Sequence, residues 1–320
     1  MAMRTVRIMN EKELDGLSFA TATVIAIGFF DGVHKAHRAL ISKALTHARE
    51  NGLSLTVFTF FSDSMRNKSS GRLYTDEEKC ELLADAGADA VVLFDFELVR
   101  NLSKEDFVNE ILAKKLNAAA VFSGDDFRFA KKASAGTEDL KALMRALGRD
   151  AFAIGEVTYG GKRISTSGIK ALLAEGKTRE AAQLLSLPYF ITGNVTHGNG
   201  MGRAMGIPTV NIDLPENAAG LARGVYSTVV SIGGERYLGL TNVGTCPTFG
   251  ERKEHTETLI LDFDGNVYDE KIRIYFLDYL REEKIFSGAE ELVMQINIDK
   301  NKAFSLLGDL KWQDIGRSLQ

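Results

Sequence analysis

Only two cysteines, Cys80 and Cys246, occur in 320 residues, and neither has another cysteine or a histidine at metal-ligand spacing. That scarcity argues against a disulfide framework and a structural zinc site, and reduced thiols fit a cytoplasmic protein. No stretch approaches the roughly 20 apolar residues of a membrane span. The first residues carry Glu11, Glu13 and Asp15 where a secretory signal needs an apolar core, so a cytoplasmic location with no membrane partner is expected. Charge of neither sign dominates: 39 Lys and Arg against 43 Asp and Glu leave a net −4. Broad binding to nucleic acid is therefore not expected, while a small phosphorylated ligand stays open because local charge decides that. Internal repeats, low-complexity segments and the Walker spacing G-x-x-x-x-G-K-[ST] are also missing. What remains is 45% apolar and 26% charged, the balance of an ordinary globular protein, at a length that predicts two domains.

The first half alternates strand and helix. Thr23 to Phe30 is a short β-branched apolar run that stops at Asp31-Gly32; a helical pattern comes next from Ala36 to Ala48 and stops at Asn51-Gly52; Leu53 to Phe61 is again strand-like. The theme continues with helices at 76–86, 104–116 and 138–147 and strands at 90–94, 118–123 and 150–157, then two closing helices at 167–175 and 178–185. Such alternation predicts an α/β Rossmann-like domain with a parallel sheet, whose ligands bind at the carboxyl ends of the strands. After Leu187-Pro188 the pattern becomes β-rich, with strands at 224–232, 236–243, 256–263 and 271–279 and a terminal helix at 290–307. It predicts a small antiparallel barrel with its edge covered by that helix. The expected domains are 1–186 and 187–320.

Gly28-Phe29-Phe30-Asp31-Gly32-Val33-His34-Lys35-Ala36-His37 lies where the first strand ends and the first long helix begins. A helix N-terminus attracts an anion, and His34 and His37, three apart, share one face from which both could donate to a polyphosphate. Nucleotidyl transfer needs mainly such stabilisation of developing charge. Two histidines one turn apart would suit plain packing equally well, but this string resembles the G-x-F-D-G-x-H-x-G-H element of the nucleotidyltransferase superfamily, in the form found in bacterial bifunctional riboflavin kinase/FAD synthetases. Gly124-Asp125-Asp126-Phe127-Arg128-Phe129 resembles that family's flavin-side loop, and Ile164-Ser165-Thr166-Ser167-Gly168-Ile169-Lys170 its element near the ATP phosphates. The resemblance implies His34 and His37 as catalytic residues and Gly28, Phe29, Asp31, Gly32, Asp126, Phe127, Ser165, Thr166, Ser167 and Lys170 as binding residues. The departures matter. Ala36 and Ala130 stand for glycines, Lys170 for arginine, and Phe58-Thr59-Phe60-Phe61-Ser62-Asp63-Ser64 where the family has T-F-D-P-H-P, so that Asp63 takes the place of a phosphate-binding histidine and would repel a triphosphate.

The second string runs Gly193-Asn-Val-Thr-His-Gly-Asn-Gly-Met-Gly-Arg-Ala-Met-Gly-Ile-Pro-Thr-Val-Asn211. Glycines allow sharp turns and close approach to a ligand, and such a loop can aim N–H groups at phosphate oxygens. Thr209 and Asn211, two apart on an extended segment, face one way and offer hard oxygen ligands suited to Mg²⁺. This stretch resembles the riboflavin kinase signature of the same family, and Glu257 falls where that family's V-E-x-x-x-x-D-F strand places its catalytic glutamate. Asn242 and the string Arg281-Glu282-Glu283-Lys284-Ile285-Phe286 match further motifs. The resemblance implies binding roles for Gly198, Gly202, Arg203, Gly206, Pro208, Thr209, Asn211, Asn242, Arg281, Glu283 and Phe286, with Thr209 and Asn211 also holding metal.

The implied activities are phosphorylation of riboflavin by ATP to FMN, with Mg²⁺, and adenylylation of FMN to FAD and pyrophosphate. The departures at Ala36, Asp63 and Lys170 leave a rival open, a riboflavin kinase whose N-terminal half only binds or regulates. ATP and flavins are the expected partners, and self-association is left open.

Overall fold

The computed structural model describes residues 3–63, 71–196, 207–214, 217–248, 251–307 and 310–315. They form two compact units, Met1–Thr166 and Ser167–Gln320.

The first unit runs β1 (Arg4–Ile8), α1 (Glu11–Gly16), β2 (Thr23–Ile27), α2 (Lys35–Glu50), β3 (Ser54–Phe60), α3 (Asp76–Asp85) and β4 (Ala90–Phe94). A helix Lys104–Asp106 then continues as a π-helix over Phe107–Lys115, succeeded by β5 (Ala118–Gly124), α4 (Thr137–Ala146), β6 (Asp150–Ile154) and the hairpin β7 (Thr158–Tyr159) and β8 (Lys162–Arg163). Strands β1 to β6 make one parallel sheet in the order β1-β4-β3-β2-β5-β6. All five residues of β2 are buried, which explains why it reads as an unbroken apolar run. The chain builds outward from β2 in one direction through β3 and β4 and in the other through β5 and β6. The carboxyl end of β2 is thus a topological switch point, where such sheets open a crevice.

Each predicted element of this unit is present, with ends shifted by up to a few residues. Beyond them the unit holds β1, α1, the short hairpin and two 3-10 turns at Phe96–Leu98 and Lys131–Ala133. β1 is an edge strand whose arginines, Arg4 and Arg7, are exposed, so it lacks the apolar run that marks the central strands. The helix expected at 104–116 is π-wound over most of its length, with Leu116 N–H reaching the Ile111 carbonyl at 3.0 Å while Phe107, Val108, Ile111 and Leu112 stay buried.

The second unit takes in α5 (Thr166–Ala174), α6 (Thr178–Leu185), β9 (Phe190–Asn194), β10 (Thr209–Asp213), β11 (Gly224–Ile232), β12 (Glu235–Thr248), β13 (Glu251–Ile260), β14 (Lys271–Arg281) and α7 (Ala289–Leu307). Its strands pair antiparallel in the order β10-β13-β12-β11-β14-β9. Among the described residues a bridge between Thr196 and Asn211, with Thr196 N–H on the Asn211 carbonyl at 2.9 Å, joins the two ends, so the barrel is nearly closed. The Ile212 side chain packs onto Gly193 at that seam, where a Cβ would lie 2.2 Å from Ile212 Cγ2. Inside, the hydroxyls of Thr228, Thr241 and Thr258 form a chain with 2.9 Å spacings, so these buried oxygens satisfy one another. Outside, α7 lays Ala303 and Ile296 on Val225, Leu240, Leu259 and Leu280.

The change to β-rich sequence does fall before Phe190, but α5 and α6 pack with the barrel. Thr178 donates to the Leu277 carbonyl at 2.8 Å, Arg179 pairs with Asp278 at 2.7 Å, and Ala222 N–H reaches the Leu173 carbonyl at 3.1 Å. The two closing helices therefore belong to the contacts of the second unit.

Candidate active sites

In the first unit the turn after β2 is built around unusual backbone. Phe30 (φ 50°), Gly32 (φ 93°) and Val33 (φ 40°) all adopt positive φ, a costly arrangement for the two non-glycine residues that clusters at functional sites. Hydrogen bonds that hold it include Thr59 Oγ1 to the Phe29 carbonyl at 2.9 Å, Leu73 N–H to Asp31 Oδ1 at 3.0 Å, and Thr166 Oγ1 to the Asp31 carbonyl at 2.9 Å. Thr166, from a string more than a hundred residues away, is thereby brought onto the turn. Phe29 stays 41% exposed at the lip, its ring 4.8 Å from Phe60.

His34 caps α2. Its Nδ1 accepts from His37 N–H at 3.4 Å, which puts the imidazole proton on Nε2, and its ring stacks on His37 at 3.6 Å. Burial pushes the His34 imidazole down to about 4 despite the opposing pull of Asp31. Burial, reinforced by His34, pushes His37 well below the usual range. Both rings are therefore neutral donors at physiological pH. His37 Nδ1 is buried without a protein partner among the described residues.

Neutral burial of His34 makes the fold sensitive to acid. The folded His34 resists protonation while the unfolded one accepts a proton below about 6.5, so stability is full above that pH and is lost as pH falls toward 4. At pH 5 the loss from His34 is expected to be about 2 kcal/mol. Urea midpoints of wild type and His34→Asn measured between pH 7 and 5 check this, with the variant losing the corresponding part of the slope.

Asp63 is paired with Arg72 at 3.0 Å. The repulsion expected of a carboxylate here is thus largely neutralised by an arginine that nothing in the sequence singles out. Asp126 is likewise engaged by Arg163, and Phe127 stacks at 5.7 Å on Phe129. Ala130, in the place of a family glycine, sits at φ 64°, ψ 177°, a region open essentially only to glycine. Ala130→Gly is expected to stabilise the protein by about 1 kcal/mol, read as a rise in the denaturation midpoint. Ser165 precedes Thr166 in the first unit, and Ser167 and Lys170 fall on α5 in the second. Cys80 is buried and its thiol pushed up to about 11 by burial, which leaves it unreactive.

In the second unit the cross-strand register assembles a row. Asn211 is paired with Glu257, Glu257 with Asn242, Asn242 with Val225, and Val225 with Arg281. Directly opposed residues share a face, so residues from five strands line one outer strip of the barrel. Thr209, two residues before Asn211, joins it and donates to Glu257 Oε1 at 2.7 Å. Asn242 Nδ2 donates to Glu283 at 3.2 Å, and a Cβ on Gly244 would come within 2.5 Å of that carboxylate, so glycine leaves room for it. Arg281, expected to face a ligand, is bound instead by Asp299 of α7 at 2.8 Å and lies over the Phe286 ring at 5.7 Å. An open cleft of about 660 Å³ adjoins the strip, lined by Ala174, Glu175, Ala222, Arg223, Tyr279, Glu282 and Glu283. Pro208 is exposed just ahead of β10. Gly198, Gly202, Arg203 and Gly206 lie outside the described residues.

A parallel-sheet nucleotide-type crevice and a barrel strip of Thr, Asn and Glu define a two-module transferase. The FAD synthetase family model matches residues 17–168 and the riboflavin kinase family model residues 185–307. The chain belongs to the bifunctional riboflavin kinase/FMN adenylyltransferase family. It is 33% identical to the family member from Buchnera aphidicola, over 93% of this chain and 96% of that one, and 32% identical to that of Bacillus subtilis, over 97% and 100%. Among solved structures, a macrolide-efflux protein from Streptococcus pneumoniae matches with a TM-score of 0.85 at 27% identity, covering 94% of this chain and 99% of that one. The match extends the two-module fold over nearly the full length. Among the described residues no helix is long and apolar enough to cross a membrane.

Proposed function

We propose that this chain phosphorylates riboflavin with ATP to give FMN at the barrel and transfers AMP from a second ATP to FMN at the parallel-sheet crevice, giving FAD and pyrophosphate. We assign the first activity to residues 187–320 and the second to 1–186, in the cytoplasm, where ATP is available.

The observation that carries the kinase assignment is the 2.7 Å contact of Thr209 with Glu257 in register with Asn211. Phosphoryl transfer to an alcohol needs a group that takes the hydroxyl proton and a place for the metal that accompanies the phosphates. Glu257 is the carboxylate for the first task, poised to accept the proton of the terminal ribityl hydroxyl. Thr209 and Asn211 supply hard oxygens for the second. An ion that arrives with ATP keeps several waters and needs few protein ligands. Bound there, Mg²⁺ would neutralise charge on the transferring phosphate. Asn242 and Glu283 border the acceptor side.

At the crevice, adenylyl transfer calls for positioning and charge stabilisation. The N-terminus of α2 and the neutral imidazoles of His34 and His37 donate to the phosphate oxygens, and the unfilled His37 Nδ1 fits a polar ligand there. Phe29 is placed to stack on an aromatic ring of the ligand. The FAD synthetase match and the Arg72 counter-charge to Asp63 weigh against a merely regulatory first module.

The test is chromatography of purified protein with ATP, Mg²⁺ and riboflavin, in which FMN is expected first and FAD after it. FMN without FAD would leave only the kinase half of the reading.

A further inference from the structure

One buried carboxylate beside the barrel strip takes no direct part in either transfer. Asp299, on α7, is 2% exposed. Arg281 Nε donates to its two oxygens at 3.1 and 2.9 Å, and Arg281 Nη2 reaches Oδ2 at 2.8 Å. Gln295, one turn earlier, donates to Oδ1 at 2.9 Å. A buried carboxylate satisfied by several donors is fixed in one rotamer, and it fixes the planar guanidinium that it receives.

Arg281 in turn organises residues 282–286. Its Nη1 donates to the Glu282 carbonyl at 2.9 Å, and its guanidinium covers the Phe286 ring. Between those points Glu283 accepts from Asn242, the cross-strand neighbour of Glu257, and Lys284 donates to Gln295 at 3.3 Å. A greasy pair at 281 and 299 would pack α7 onto β14 with no desolvation cost. The ion pair adds direction, and the segment that it aims is the one bordering the acceptor side.

We propose that Asp299 is a positioning residue of the kinase site: through Arg281 it holds residues 282–286 so that Glu283 seats on Asn242 beside Glu257. This rests on the kinase reading and adds a residue to it.

Asp299→Asn removes the charge at nearly constant volume. The riboflavin KM is expected to rise about tenfold with kcat little changed, because a substrate-facing segment has lost its alignment. Riboflavin fluorescence titration without ATP should show a dissociation constant raised by the same factor. Arg281→Lys keeps charge but loses the fork, and should match Asp299→Asn, with the double variant no worse than either. Gln295→Ala, a milder change, should fold normally and shift KM in the same direction. FMN adenylylation by each variant should equal wild type. Wild-type riboflavin KM and dissociation constant in folded Asp299→Asn and Gln295→Ala would overturn the proposal, as would a lowered melting temperature with unchanged riboflavin binding. Failure of the wild-type protein to make FMN would instead remove the kinase reading itself.

Discussion

Glu257→Gln is expected to lower kcat for FMN formation by roughly 10²–10⁴-fold, the range contributed by a positioned general base. The amide keeps the shape of the side chain, and its carbonyl can still accept from Thr209 at the 2.7 Å site, so the strip and the barrel should remain intact. What disappears is the ability to take a proton from the acceptor alcohol. The substrate KM values should therefore move little, the pattern of an interaction made only in the transition state. The same protein supplied with FMN and ATP should make FAD at the wild-type rate. Steady-state rates of both steps on one preparation check this, and FMN formation above a tenth of wild type would sink the role given to Glu257.

His34→Asn should cut FAD formation by about 10²–10³-fold while leaving riboflavin phosphorylation untouched, comparable to removing one donor from a charge-stabilising site. Asparagine is chosen because His34 does two things. It caps α2 by accepting from His37 N–H, and its ring stacks on His37. Asparagine is among the best N-cap residues and preserves the first task, whereas alanine would cost about 1 kcal/mol of helix stability and blur the result. Since both imidazoles are held neutral by burial, the wild-type adenylylation rate should also show no inflection near 6.5. A variant that keeps wild-type FAD formation, or an inflection at that pH in the free enzyme, contradicts neutral-histidine donation.

The parts of the fold legible in the sequence are those whose residues face one environment. β2 and β4, buried along their length, read as apolar runs, and α2 shows its helical spacing because one side packs and the other does not. β1 escapes because its exposed arginines give an edge strand no such signature. At the sites, motif spacing places His34, His37, Thr209, Asn211 and Glu257, and the register of β10, β12 and β13 brings the last three into one strip with Asn242. Partners such as Arg72 for Asp63, Arg163 for Asp126 and Asp299 for Arg281 cannot be read in this way. Ion pairing across 9 to 37 positions leaves no local pattern, and an arginine in a loop looks the same whether solvated or committed.

Because Thr196 is bridged to Asn211, these two residues lie side by side although a segment of 14 positions separates them. Lengthening such a segment costs only slowly rising closure entropy. Thr209 and Asn211 are meanwhile held by their pairing with β13. Insertion shortly after Thr196 is thus expected to leave the pairing of Thr209 and Asn211 with β13 in place.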